Sequence, residues 1–93
     1  MSTTPIRHVV CFTGHVQGVG FRMTAVQSAA GLDVHGFVRN EIDGSVMLDV
    51  EGSAADLKEL VHRIRQEMSQ KLDNISTDVR PPKQYSGGLV IRY

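Results

Sequence analysis

The chain has 93 residues, ten Lys and Arg against ten Asp and Glu, and 41% hydrophobic residues, which describes one compact domain with a single hydrophobic layer between a sheet and helices. Zero net charge argues against a protein that gathers nucleic acid through a broad positive field, so a small, shallow site for a small-molecule substrate is expected. The single cysteine, Cys11, excludes an internal disulfide; lying in an apolar run, it is expected in the core of a protein from a reducing compartment.

Residues 1–6 open with the polar run Met1-Ser2-Thr3-Thr4-Pro5. They show no targeting pattern, and no later run approaches a membrane span. The expectation is a flexible segment over 1–6, one domain over 7–93, and a soluble cytoplasmic monomer that binds neither nucleic acid nor membrane. Arg7 to Thr13 is rich in β-branched and aromatic residues and reads as a first strand, broken by Gly14. After a glycine-rich loop, Met23 to Ala30 reads as a short helix with Met23, Val26 and Ala30 at helical spacing, closed by Gly31 and Leu32. Val34 to Asn40 and Ser45 to Gly52 read as two more strands, with Val46, Leu48 and Val50 alternating against Met47, Asp49 and Glu51. Between them, Glu41-Ile42-Asp43-Gly44 supplies a hairpin turn.

Ser53 and Asp56 fit the cap of a second helix, along which Leu57, Leu60, Val61, Ile64 and Met68 form one apolar stripe. Its charged face, with Lys58, Glu59, Arg63, Gln66 and Glu67, is read as solvated. A polar link around Lys71 to Asn74 leads to a fourth strand, Ile75 to Arg80, which Pro81-Pro82 ends. Gly87 to Tyr93 is a short closing strand. The order strand-helix-strand-strand-helix-strand, plus the last strand, is that of an α+β, ferredoxin-like split βαβ sandwich: an antiparallel sheet with two helices on one face and the other face open. The first and third strands lie centrally, so the loop leaving the first strand emerges in mid-sheet.

That loop is Gly14-His15-Val16-Gln17-Gly18-Val19-Gly20-Phe21-Arg22. Loop glycines leave backbone N–H groups free to converge, and the adjoining helix start adds unpaired N–H groups and a positive dipole end, which suits a phosphate. An arginine at a helix start is mildly unfavourable for a cation, and a bound anion reverses the sign of that term. A guanidinium also offers a rigid fork of donors matched to phosphate oxygens. Asn40 is read as a strand-end residue able to orient a water, since a neutral carboxamide is no strong base. His15 reads as an exposed loop histidine, Gln17 as a residue that shapes the loop, and Gly18 and Gly20 as torsional requirements. His8, His35 and His62 lie on separate elements with no metal-site spacing.

A second motif answers the first. Gly36-Phe37-Val38-Arg39-Asn40, followed by Gly44, Val46 and Gly52, joins Gly14, Val16, Gln17, Gly18, Val19, Phe21 and Arg22 in a pair that closely resembles the acylphosphatase family. The resemblance implies a metal-free hydrolase without cofactor, which cleaves the carboxyl–phosphate bond of an acyl phosphate to a carboxylate and inorganic phosphate. It places the catalytic residues at Arg22 and Asn40. The phosphate would lie on the backbone amides of His15, Val16, Gln17, Gly18, Val19, Gly20 and Phe21 together with Arg22, and Asn40 would position the attacking water. A non-catalytic anion-binding regulatory module of the same fold is the alternative. The link Ser69 to Asn74 departs from the family by lacking a Gly-Pro pair. An RNA-binding domain of this topology would carry aromatics on its third strand, which has none.

Overall fold

The computed structural model describes residues 5–93. Seven elements follow in order: β1 (Ile6–Gly14), α1 (Phe21–Ser28), β2 (Val34–Asn40), β3 (Val46–Gly52), α2 (Ala54–Met68), β4 (Leu72–Arg80) and β5 (Leu89–Arg92). Of the segment expected to be flexible, residues 1–4 lie outside the described residues, and Ile6 already belongs to β1.

The five strands form one sheet in the order β4-β1-β3-β2-β5. Neighbours run antiparallel except β2 and β5, which pair in parallel, Gly36 with Leu89 through Arg39 with Arg92. The sheet is therefore mixed and not purely antiparallel as expected. The strand after Pro81-Pro82 returns across the sheet before pairing, and such a crossover leaves it parallel to its neighbour.

Period-two alternation sends Val10 and Phe12 of β1, Val38 of β2, and Val46, Leu48 and Val50 of β3 to one face, where they meet Phe21 and Ala25 of α1 and Leu57, Leu60, Ile64 and Met68 of α2. Phe12 and Phe21 pack with ring centroids 5.0 Å apart. Ser53 caps α2 as expected, its Oγ accepting from the Asp56 N–H at 3.1 Å.

Four expectations change here. The first helix starts two residues earlier and buries Phe21, Ala25 and Ser28, so Met23 faces outward. It ends early because Arg63 donates to the carbonyls of Ser28 (3.0 Å) and Ala30 (2.9 Å), satisfying acceptors that a longer helix would have used. The fourth strand begins at Leu72, because Gly14 extends β1 far enough to pair with it across a bulge. The cysteine is half-buried on the face away from the helices, opposite in sense to Val10 and Phe12, and so lies outside the main core.

The second face is covered in part. Asp49 and Glu51, only 5% and 3% exposed, lie on it, beneath the segment that joins β4 to β5. Arg7 Nε and Nη2 donate to the two Asp49 carboxylate oxygens at 2.8 and 2.7 Å, and the Tyr85 hydroxyl donates to Oδ2 at 3.0 Å. Glu51 accepts the backbone N–H groups of Lys83, Gln84 (3.0 Å) and Tyr85 (2.7 Å). Gln84, at φ 59°, turns these three amides inward onto the carboxylate. Two buried carboxylates on a central strand need such partners, since an unpaired buried charge is strongly unfavourable.

Candidate functional site

The site grows from the register of three strands. Val46 of β3 pairs with Phe12 of β1 on one side and with Asn40 of β2 on the other. β1 and β2 both oppose β3, so they run parallel to each other and finish at the same edge of the sheet. Asn40 thus lies two strand spacings, roughly 10 Å, from the level at which β1 enters the glycine loop. Parallel pairing of Arg39 with Arg92 brings Tyr93 beside Asn40 from the other side.

The loop is anchored at both ends. Val16 and Phe21 are buried in the core, and half-buried Val19 packs against it. Gly14, at φ 126°, approaches β4 so closely that a Cβ there would collide with the Lys71 carbonyl and come within 2.7 Å of the Asp73 nitrogen. Gly18 and Gly20 adopt φ 76° and 78° in open space, so their requirement is torsional. Gly20 is also the N-cap of α1 and offers no side-chain cap, while the first turn holds no acidic residue. The amides there are unopposed, and Arg22 stands among them.

Gln17 fixes the loop to its neighbour. Its Nε2 donates to the carbonyls of Glu41 at 2.7 Å and Ser45 at 2.9 Å, at both ends of the β2–β3 turn. The turn is itself closed by the Glu41 N–H donating to Ser45 at 2.9 Å, and by Asp43, which accepts from the Ser45 hydroxyl at 2.6 Å and amide at 2.9 Å. Those hydrogen bonds hold the Asp43 carboxyl below the usual aspartate range.

Arg22 and Asn40 line one cavity of about 200 Å³ with Gly18, Gly20, Phe21 and Met23, and with Val16, Ile91 and Tyr93 completing the wall. The Arg22 guanidinium carbon lies 4.9 Å from the centre of the Tyr93 ring, a cation–π distance that steadies the side chain without neutralising it. His15 stands apart from its neighbours: its N–H donates to the Lys71 carbonyl at 2.8 Å. That amide is engaged in the β1–β4 junction, so the free donors of the loop begin at Val16.

The remaining histidines are elsewhere. His35 accepts from the Gly88 N–H through Nδ1 at 3.0 Å and meets Asp33 through Nε2 at 2.8 Å, clasping the start of β5 to β2. Among the described residues, no group of three or more His, Cys, Asp or Glu side chains converges as metal donors would. No helix among them is long and apolar enough to cross a membrane. Sequence reasoning missed Met23, Ile91 and Tyr93 at the cavity. A signal existed for the last two: β5 alternates from Leu89 to Ile91 on the helix-covered side, and Tyr93 continues that alternation just past its end.

A split βαβ sandwich whose glycine loop, arginine and strand-end asparagine line one cavity defines a ferredoxin-like domain with a site at one end of its sheet. The acylphosphatase family profile matches residues 8–88, and the chain belongs to the acylphosphatase family. An acylphosphatase of Caldanaerobacter subterraneus subsp. tengcongensis is 42% identical over 64 residues, 68% of this chain and 71% of that protein. An acylphosphatase of Salinibacter ruber is 50% identical over 54 residues, which span 58% of this chain and only 57% of that relative. The crystal structure of acylphosphatase from Bacillus subtilis superposes with a TM-score of 0.83 at 26% identity, covering 95% of this chain and 99% of that one.

Proposed function

We propose that this chain hydrolyses acyl phosphates to a carboxylate and inorganic phosphate, with Arg22 and Asn40 as its catalytic residues. The observation that carries this reading is that Arg22, Asn40 and the two loop glycines share one cavity. The phosphoryl group lies on the amides of Val16, Gln17, Gly18, Val19, Gly20 and Phe21, with the Arg22 fork on its oxygens. Asn40 holds a water on the face of phosphorus opposite the acyl oxygen.

The balance of the step is simple. A water oxygen forms the new bond to phosphorus, the bond from phosphorus to the acyl oxygen breaks, and the carboxylate leaves with the bonding pair. The water's proton passes to a phosphoryl oxygen. A carboxylate leaves without protonation, so the protein's task reduces to positioning and to stabilising charge with preorganised donors. The working unit is a cytoplasmic monomer acting on a small molecule, and size-exclusion chromatography tests the monomer.

The deciding experiment compares wild type, Arg22→Ala and Asn40→Ala on benzoyl phosphate in the presence of a chelator, with folding checked by circular dichroism. Each substitution should cost about 10²–10³ in rate, the usual effect of removing one preorganised donor. Folded variants as active as wild type would overturn the roles given to Arg22 and Asn40. A wild type that binds phosphate without turnover would establish the non-catalytic anion module instead.

A further inference from the structure

We propose that Met23 and Tyr93 form an apolar acyl subsite that makes this chain selective for phosphates of flat, uncharged acyl groups over the acetyl group. This rests on the reading of the cavity as a phosphoryl site.

The cavity has two unlike sides. Its polar donors, the loop backbone at Gly18 and Gly20 together with Arg22 and Asn40, suit a phosphoryl group. The rest of its wall is apolar, and Val16, Phe21 and Ile91 are claimed by the core or packed against it. Two apolar side chains remain at the mouth, Met23 at 52% and Tyr93 at 94% exposure. Neither is explained by folding. Met23 follows Arg22 on the outward side of α1, and Tyr93 follows β5 beside Asn40. Both line the cavity and are exposed, so they are the apolar side chains open to the acyl group of a substrate whose phosphoryl group lies among the polar donors.

Size and charge narrow the acyl group. A cavity of about 200 Å³ is smaller than the pockets of roughly 300–1,000 Å³ that enclose drug-sized ligands. It holds the phosphoryl group and leaves the acyl group on the lip. The Arg22 guanidinium occupies one face of the Tyr93 ring at 4.9 Å, so the exposed ring area beyond that contact is available for stacking, which favours a flat partner. Met23 supplies an adaptable thioether for the same partner. Among the described residues that line the cavity, Arg22 carries the one charged side chain, and with the phosphoryl group bound it is already paired. An acyl group carrying its own charge would find no counter-charge there.

The test is the ratio of kcat/KM for benzoyl phosphate to that for acetyl phosphate, measured beside the inhibition constant of inorganic phosphate. Met23→Ser should lower the ratio roughly threefold to tenfold, at or below the effect of one methylene in an enclosed pocket, and leave phosphate inhibition unchanged. Met23→Leu should keep the wild-type ratio. Tyr93→Ser should lower the ratio and weaken phosphate inhibition as well, because it removes the ring against Arg22; Tyr93→Phe should preserve both. Val79→Ser is the control, an apolar residue 74% exposed on β4 at the far edge of the sheet, and should change nothing. Ratios in Met23→Ser and Tyr93→Ser equal to those of wild type and Val79→Ser would overturn the subsite while leaving the hydrolase reading standing. A wild type that turns over neither substrate would defeat that reading, and this inference with it.

Discussion

The Gln17 carboxamide donates to the Glu41 carbonyl at 2.7 Å, so the loop that leaves the first strand is tied to the turn that begins one residue after Asn40. The same nitrogen reaches Ser45 at 2.9 Å. Among the described residues no other hydrogen bond joins loop to turn, so this side chain sets the separation between the loop amides and Asn40 on which the proposed mechanism depends.

Gln17→Ala should therefore reduce kcat on benzoyl phosphate by about ten- to a hundredfold, the scale on which a misplacement of about an ångström acts. The stability cost should be only about 1–2 kcal/mol for the two lost hydrogen bonds. Steady-state kinetics and urea melts on one preparation separate the two effects. A loss of stability with kcat unchanged would reduce Gln17 to a structural tie.

The second prediction concerns pH. Burial pushes the Asp49 carboxyl up, but hydrogen bonds from Arg7 and Tyr85 and the Arg7 charge outweigh it and leave the group below the ordinary aspartate range. A depressed folded value gives stability that is present above the unfolded pKa of about 4 and lost as pH falls through the folded one. At the alkaline end the sign reverses. Burial and the Asp49 carboxylate push the Tyr85 phenol above its usual value, so its contribution is present below about pH 10 and lost as pH rises beyond it. Thermal melts should show Asp49→Asn flattening the acid limb, and Tyr85→Phe flattening the alkaline one. Asp49→Asn should also cost about 3–5 kcal/mol at neutral pH, because it strands Arg7 in a mostly buried position.

A third prediction separates two kinds of glycine in one motif. Gly14→Ala drives a methyl into the β4 backbone near Lys71 and Asp73 and should destabilise the fold by about 2 kcal/mol or more, with strain at positive φ added to a backbone clash. Gly18→Ala and Gly20→Ala meet open space, so they should cost only about 1–2 kcal/mol of torsional strain each. Their larger effect should be on KM, through displaced amides. Denaturant midpoints compared with KM values test this ordering.

The elements that repeat a pattern were legible in the sequence: the stripe Leu57, Leu60, Ile64 and Met68, the alternation of Val46, Leu48 and Val50, and the Ser53 cap all stand where periodicity and capping chemistry put them. Arg22 and Asn40, which only the family resemblance put into one site, line one cavity, since two strands flanking a common partner end at the same side of the sheet. Decisions made by long-range partners were not legible. The inward face of α1 is set by Phe21 packing against Phe12, which local spacing around Met23 does not encode. The partial cover of the second face depends on Tyr85 reaching Asp49 across 36 positions of sequence. Its only local trace was the pair of carboxylates on a central strand. The resemblance placed the amide of His15 among the loop donors, while its acceptor, Lys71, belongs to the connection between α2 and β4, far along the chain.

The last prediction concerns charge against geometry at Arg22. A lysine keeps the positive charge at the start of α1 but replaces a planar fork with a single point donor, and it also gives up the guanidinium contact now made over the Tyr93 ring at 4.9 Å. If the role of this residue is long-range attraction of the anion, Arg22→Lys should resemble wild type and differ sharply from Arg22→Ala. If the role is bidentate registration of the phosphoryl oxygens as the bond to the acyl oxygen lengthens, Arg22→Lys should retain phosphate inhibition within about threefold yet lose about 10² in kcat, because the misfit is felt most in the transition state. The geometry favours the second outcome. Arg22 stands among the unopposed amides of the first turn of α1, which already supply positive potential, so a further point charge adds less than a correctly aimed pair of donors. Measuring kcat and the phosphate inhibition constant for Arg22→Lys and Arg22→Ala side by side decides between the two.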